Sequence, residues 1–542
     1  MIFNARNFLI TGICFLTLSY VITSPSEAQS TQNVLNKAVR FFGGEEALMN
    51  LSTLKVEAQG ERWMLDEGFE IGEGASEQST FTAELFYDLD GDQLRNDYLT
   101  TGSFGGQRGV REIISADTGF IGGSRSAIGQ QPDSTMLSDR LSSIRKHQRL
   151  LNPFLLLRIA LSNPDLVTLA NDVELENGLH NVLQLEESQG SLMLFVKSRT
   201  GILTKVSTME SNGLRRDVPL EVYYKRWRWA DLGVTNDEQG RRERTPRGQR
   251  LRFPTIVEVI YDGELVHSEA RNVIDINPDF DPDIFDIPES INPVFDQDLA
   301  IRGEISHQEI QSFAAWGFPI DGFQTLVEAT ELAPGVFFLT GGTYNSLAIE
   351  QDDGVVIVGT PLYEERSQAV MDWVENNIPG KPITHAIMSH HHVDHAGGVR
   401  FYVATGIPIV MHETAVPFFE NIFTAPSTIG VDTLAANPVT ADIIPVPLDG
   451  SLILESGTNS IGVYTIINNN HAEDMVVIEA GGVFFVADVY TPVPNAPLLP
   501  GADTIHERIT ELGLQVDTIA GAHGQTIPFA EFDEKFKEQF SQ

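Results

Sequence analysis

The chain of 542 residues has almost no cysteine. The only one, Cys14, sits inside an apolar stretch running from about Phe8 to Thr23. A chain trimmed behind that stretch can form no disulfide and offers no thiolate to a metal. Long hydrophobic runs are also missing: the N-terminal stretch is shorter than the roughly 20 residues a spanning helix needs, and no later segment approaches it. Arg6 before the stretch and Ser26-Glu27-Ala28 before Gln29 read as a cleavable signal over residues 1–28. Thr11-Gly12-Ile13 makes a poor lipid-attachment site at Cys14. These absences point to a periplasmic or secreted protein without a stable membrane span, stapled by packing or metal instead of disulfides. Basic residues are scarce as well. There are 36 Lys and Arg against 75 Asp and Glu, a formal net charge of −39, and from Glu328 onward 28 acidic residues face 6 basic ones. Such a field repels phosphate backbones, which weighs against a nucleic-acid partner.

Histidine is scarce overall but concentrated at one place. His390, His391, His392, Asp394 and His395 fall within six residues, followed by Gly397-Gly398. Imidazole nitrogen and carboxylate oxygen are the donors that borderline divalent cations such as zinc prefer. Residues i and i+2 of a helix point to different sides, so His390 and His392 share an ion only in an extended or looped segment. The preceding Pro382 to Met388 reads as a strand ending at Ser389, which puts the cluster at a strand's carboxyl end, where α/β folds place their sites.

His390-x-His392-x-Asp394-His395 resembles the signature of the metallo-β-lactamase superfamily. The rest of that pattern follows in order: His471 before Met475 to Ile478, Asp488 closing Val483 to Ala487, and His523 in Gly521-Ala522-His523-Gly524. The resemblance covers roughly residues 325–542 and implies an αβ/βα sandwich. It also implies two divalent ions, zinc first with iron or manganese as alternatives. His390, His392 and His471 would hold one ion, Asp394, His395 and His523 the other, with Asp488 between them and Asp394 also orienting a metal-bound hydroxide. His391 is expected to point away, His412 to be structural and Tyr490 to line the pocket. Two features depart from the family: Val355 to Val358 runs into Gly359-Thr360-Pro361 where an aspartate is common, and His471 lacks a Gly-His-Thr setting. Both bear on the partners of the ligands, which tune metal affinity and ligand basicity.

The implied activity is metal-dependent hydrolysis of an ester, lactone, thioester, β-lactam or related bond in a small-molecule substrate. The alternatives are a non-heme iron oxidoreductase of the same fold and a periplasmic carrier with a structural metal. The chemistry is expected to persist in residues from about 300 to 542.

At this length, with 42% hydrophobic residues, two domains are expected. Residues 29–290 read as a β-rich α+β domain. A helix is expected from Gln32 to Leu51, interrupted at Gly43-Gly44; many short strands follow, broken by a helical insertion from about Ser134 to Ala160. This order, with Phe42 to Leu48 near its start and Asp275 to Pro288 near its end, resembles the half-barrel of periplasmic lipoprotein carriers. That resemblance implies a concave apolar cavity; the plainer reading is a scaffold docked on the second domain. Strand alternation would place Tyr223, Trp227 and Trp229 on one face and Arg226 and Arg228 on the other. The basic run from Arg241 to Arg252 is a local island whose expected partner is the acidic second domain. Pro288 and Pro293 open a linker at 291–324, with a short helix expected from Gln308 to Trp316.

Overall fold

The structure is a computed structural model. It describes residues 30–288 and 326–540, apart from short stretches at 103–106, 117, 123–124, 127–128, 131–132, 137, 188–189, 232–249 and 342–343. The signal reading, the linker helix and most of the basic island therefore lie outside the described residues.

The N-terminal half opens on helix Thr31–Phe42, capped by Ser30, whose side chain accepts from the Asn33 amide. Its stripe Val34, Leu35, Ala38, Val39 and Phe42 is buried. Gly43, at φ 139°, ends the helix, and a side chain there would strike the Arg250 carbonyl. A second short helix, Glu45–Met49, follows, so the interruption falls where the two glycines stand.

An antiparallel sheet of fourteen strands comes next. Its long middle runs Gly178–Glu187, Gly190–Lys197, Leu203–Asn212, Arg216–Asp231, Arg250–Tyr261 and Glu264–Ile276. The N-terminal strands Thr53–Leu65, Ala75–Asp88 and Gln93–Gly102 then join beside Glu264–Ile276. Helices Ser138–Leu151 and Pro153–Ser162 form the inserted helical stretch, broken at Asn152-Pro153.

These helices and Thr31–Phe42 cover one face of the sheet. Leu54, Val56, Leu85, Leu194, Val222, Val257 and Phe154 close a single core there. The β-rich α+β reading holds, and the face expected to offer a cavity carries the chain's own helices.

One local expectation fails. Tyr224, not Tyr223, shares the core side with Trp227: their rings lie 6.3 Å apart, and Trp227 packs 5.2 Å from Phe41. The alternation breaks at Arg226, whose φ of 54° turns the strand, with the Thr255 hydroxyl donating to the Arg226 carbonyl at 2.7 Å. Arg250 and Arg252 lie over the Trp229 ring.

The C-terminal half is a four-layer sandwich. Its first sheet orders Glu328–Ala333, Val336–Thr340, Ser346–Glu350, Val355–Val358, Ile383–Ile387, Ile409–His412 and Ile443–Val446. The second orders Ser451–Leu454, Ile461–Thr465, Val476–Ala480, Val483–Val486, Thr518–Gly521 and Thr526–Pro528.

Strand periodicity builds the layers. Val356 and Val358 face the second sheet, while Val355 and Ile357 face helices Glu364–Asn377 and Val399–Ala404. Ile505, Ile509 and Phe532 of helices Ala502–Leu512 and Phe529–Phe540 cover the second sheet. Met64 and Leu214 of the first half belong to the core beneath Phe419 and Phe423. Arg216 donates to the Ser427 hydroxyl at 3.1 Å and to the Gly430 carbonyl at 3.0 Å, so the two halves share a packed, hydrogen-bonded seam.

Candidate metal centre

The site forms where strands end. Ile383–Ile387 is a short parallel strand between Val355–Val358 and Ile409–His412. Past its end, the Val476 amide donates to the Ser389 carbonyl at 2.9 Å and pulls the loop against the second sheet. His392 then caps the four-residue helix Val393–Ala396, which presents Asp394 and His395. Gly397 lets this turn press on the Leu362 carbonyl, which any side chain there would strike. Asn469 accepts from the amides of His471 and Ala472 at 2.8 and 2.9 Å, a local turn that presents His471. Asp488 follows strand Val483–Val486, and His523 follows Thr518–Gly521.

Three segments, those carrying His390 and His395, His471, and His523, thus converge on one carboxylate. Asp488 Oδ2 lies 3.3 Å from His390 Nε2, 3.1 Å from His471 Nε2 and 2.8 Å from His395 Nε2. Its other oxygen lies 2.8 Å from His523 Nε2. Asp394 Oδ2 stands 3.4 Å from His395 Nε2 and 3.8 Å from His523 Nε2.

The donor atoms fall into two groups sharing Asp488: His390, His392, His471 and Asp488, and Asp394, His395, Asp488 and His523. Within each, all donor atoms lie within 4.8 Å of one another. These are the residues singled out in the sequence, brought together in the same two sets. His390 Nε2 and His471 Nε2 are buried without a well-directed hydrogen bond, and the Nε2 atoms of His395 and His523 face each other at 3.1 Å. Atoms so placed fit a pair of cations with nitrogen and oxygen ligands.

Burial, with the neighbouring histidines, holds His390 and His392 well below the usual imidazole range, in the neutral form that binds metal. Burial would lower His395 too, but the charges of Asp394 and Asp488 outweigh it and hold it up at about 9 among the side chains alone.

The remaining histidines have other partners. His391 turns away, its Nδ1 2.7 Å from Asp474 Oδ1, with both side chains wholly buried. His412 binds the Thr414 hydroxyl at 2.8 Å and the Leu448 carbonyl at 3.3 Å. Where the family's aspartate would stand, the Thr360 hydroxyl donates to the His395 carbonyl at 3.0 Å.

Two expectations need correction. Tyr490 lies in the core against Phe532, ring centroids 5.3 Å apart, and does not line the site. The aromatic residue at the site is Tyr344, 4.7 Å from the His523 ring; burial and the charges of Asp394, Asp488 and Glu67 hold its hydroxyl well above the usual phenol range. The second concerns the site's surroundings, to which the first half also contributes. Glu67 and Gly68, in the loop between strands Thr53–Leu65 and Ala75–Asp88, reach His392 and Val393. No sequence signal marked Glu67. It stands in another domain, and a single acidic residue in a turn is ordinary. Burial, then the charges of Asp394 and Asp488, push its carboxyl well above the usual range.

Residues 339–525 match the sequence model of the family described as the metallo-beta-lactamase superfamily. A 74-residue stretch is 35% identical to a linear primary-alkylsulfatase of Pseudomonas sp, covering 12% of this chain and 11% of that protein. A 71-residue stretch is 35% identical to an (R)-specific secondary-alkylsulfatase of Pseudomonas sp, covering 13% and 11%. The match thus spans about a tenth of the length of these curated relatives. Among solved structures, a metallo-beta-lactamase from Pontibacter korlensis aligns over 40% of this chain and all of its own, at 17% identity and a TM-score of 0.31. The stereoselective inverting sec-alkylsulfatase Pisa1 from Pseudomonas sp. aligns over 40% and 42%, at 18% identity and a TM-score of 0.30. The C-terminal half is a metallo-β-lactamase-like sandwich, preceded by a β-rich domain.

Proposed function

We propose that this protein is a metal-dependent hydrolase acting on an ester-type bond of a small molecule. The observation that carries this reading is Asp488, whose two oxygens face both histidine sets at 2.8 to 3.3 Å. A pair of divalent ions would supply Lewis acidity and bring a water's pKa near neutrality. His390, His392 and His471 would hold one ion and Asp394, His395 and His523 the other, with Asp488 shared. The spacing of Asp488 from both sets fixes the separation of the two sites.

Resemblance to alkylsulfatases over a short stretch puts alkyl sulfate esters in the substrate panel, beside carboxylic esters, lactones, thioesters and β-lactams. The decisive assay is hydrolysis of that panel by the full chain as purified, after chelation, and after return of zinc, manganese or iron. Turnover that falls on chelation and returns with metal supports the reading. A protein replete with metal yet inert on every member of the panel overturns it. With residues 1–28 read as an export signal, the place of action is the periplasm or the exterior, and N-terminal sequencing that finds intact Met1 on the exported chain would contradict that.

A further inference from the structure

The loop of residues 66–74 is held by two partners, Arg215 and Glu473. Asp66 takes a bidentate pair from Arg215 at 2.7 and 2.6 Å. The Phe69 carbonyl accepts from the Glu473 amide, and the Ile71 amide donates to the Glu473 carboxylate, each at 2.9 Å. Glu473 is two residues from His471, so the loop is sewn to the segment that carries a candidate ligand. What it delivers there is specific. The Gly68 carbonyl lies 2.9 Å from His392 Nε2 and, being only an acceptor, requires the proton on that nitrogen. The neutral ring's lone pair is then on Nδ1, and 3.6 Å from Nδ1 stands Glu67 Oε2.

Two acceptors thus face each other across a buried gap, since the Glu67 side chain is only 4% exposed. Such a contact is unfavourable unless a proton or a cation sits between or beside the two atoms. A Glu67 oxygen also lies within 4.8 Å of donor atoms of both His392 and Asp394, one from each ligand set. The Val393 amide donates to Oε1 at 3.2 Å, which holds the carboxylate in place without using Oε2.

We propose that Glu67 is a carboxylate ligand of the metal centre supplied by the N-terminal domain, and that Gly68 selects the His392 tautomer that binds metal. The centre is then complete only when the two domains are docked. This rests on the metal-centre reading above, and the test separates the two. The full chain is stripped of metal and titrated with cobalt(II), following visible absorption and affinity against a competing chelator, for the wild type, Glu67→Gln and Glu67→Asp. Glutamine keeps an acceptor for the Val393 amide, so a purely structural role predicts unchanged binding. The expected result is cobalt affinity lowered roughly 10- to 100-fold in E67Q, with an altered ligand-field spectrum, an unfolding temperature of the stripped protein no lower than the wild type's, and partial recovery in E67D. Should E67Q not fold, an altered spectrum in E67D, whose carboxylate is withdrawn by one methylene, supports the proposal. Wild-type affinity and spectrum in whichever variant folds overturn the role of Glu67 alone. Failure of the wild type to bind cobalt overturns the metal centre itself.

Discussion

Replacing Asp488 by asparagine removes one charge while keeping the shape of the side chain. Its oxygens face four imidazole nitrogens at 2.8 to 3.3 Å, three through Oδ2 and one through Oδ1. In the two-ion arrangement each ion therefore loses its shared anionic donor. Loss of even an indirect partner of a ligand weakens metal binding about 10- to 100-fold, or about 1.4 to 2.7 kcal/mol. A direct ligand shared by two ions should cost at least that twice, about 3 to 5 kcal/mol in total. At micromolar protein the D488N chain should leave gel filtration in metal-free buffer with fewer than one ion, against two for the wild type. Elemental analysis gives the ratio and circular dichroism confirms the fold. Hydrolysis should fall with occupancy. Retention of two ions by both D488N and Asp488→Ala would refute the ligand assignment, whatever happened to activity.

Two further expectations separate ligands from their surroundings. Asp474→Ala strips His391 of its buried partner at 2.7 Å; it should cost about 2 to 3 kcal/mol in a denaturant titration while two ions still bind, and a loss of ions without loss of stability would contradict the outward placement of His391. Asp432 reports on the domain seam by pH. Burial alone would raise its carboxyl, but the hydrogen bond from Arg400 and the charges of Arg216 and Arg400 hold it below the usual carboxylate range. A depressed carboxylate stabilises the fold above its unfolded pKa, so this contribution should be full above about pH 5 and drain as pH falls below roughly 4. Asp432→Asn should flatten the stability profile in that window and cost about 2 kcal/mol near pH 7, after discounting for solvent. An unchanged profile would remove Asp432 from the seam.

The candidate ligands were legible because the chemistry is local. Four of the seven lie within six residues; Asp488 and His523 follow strands, and His471 precedes one, whose apolar runs are plain in the sequence. The layers of the C-terminal half were legible for the same reason, since Val355 to Val358 alternates between two cores. Failures came where a neighbour, and not the residue itself, decides. Arg226 takes a positive φ inside a strand and reverses the alternation that would have grouped Tyr223 with Trp227. Tyr490 is two residues from Asp488, yet the helix carrying Phe532 claims its ring. Tyr344 lies far from every ligand in sequence; its neighbour Asn345, whose backbone amide donates to the Ala522 carbonyl at 2.8 Å and whose side chain donates to the Gly521 and Gly524 carbonyls at 3.0 and 3.1 Å, brings its loop beside His523. Glu67 was invisible because a turn between two strands says nothing of what lies across a domain boundary.

The electrostatics of the site give the two-domain arrangement a reason. Glu67, Asp394 and Asp488 converge in a space where their side chains are 4%, 5% and 14% exposed. Among the described residues, the ion pairs of these carboxylates are all with histidines, not with lysine or arginine. Three carboxylates held so close repel one another, a repulsion that a charged His395 offsets only in part, since Asp394 and Asp488 still push the Glu67 carboxyl up. Two divalent cations would reverse the sign of that energy. Since one carboxylate and the acceptor for His392 come from the 66–74 loop, binding metal would stabilise the docked arrangement of the domains as well as the sandwich. The Arg215 pair with Asp66 and the Arg216 contacts to Ser427 and Gly430 then have a shared consequence: they hold the loop at the centre before any ion arrives, so less ordering remains when metal binds.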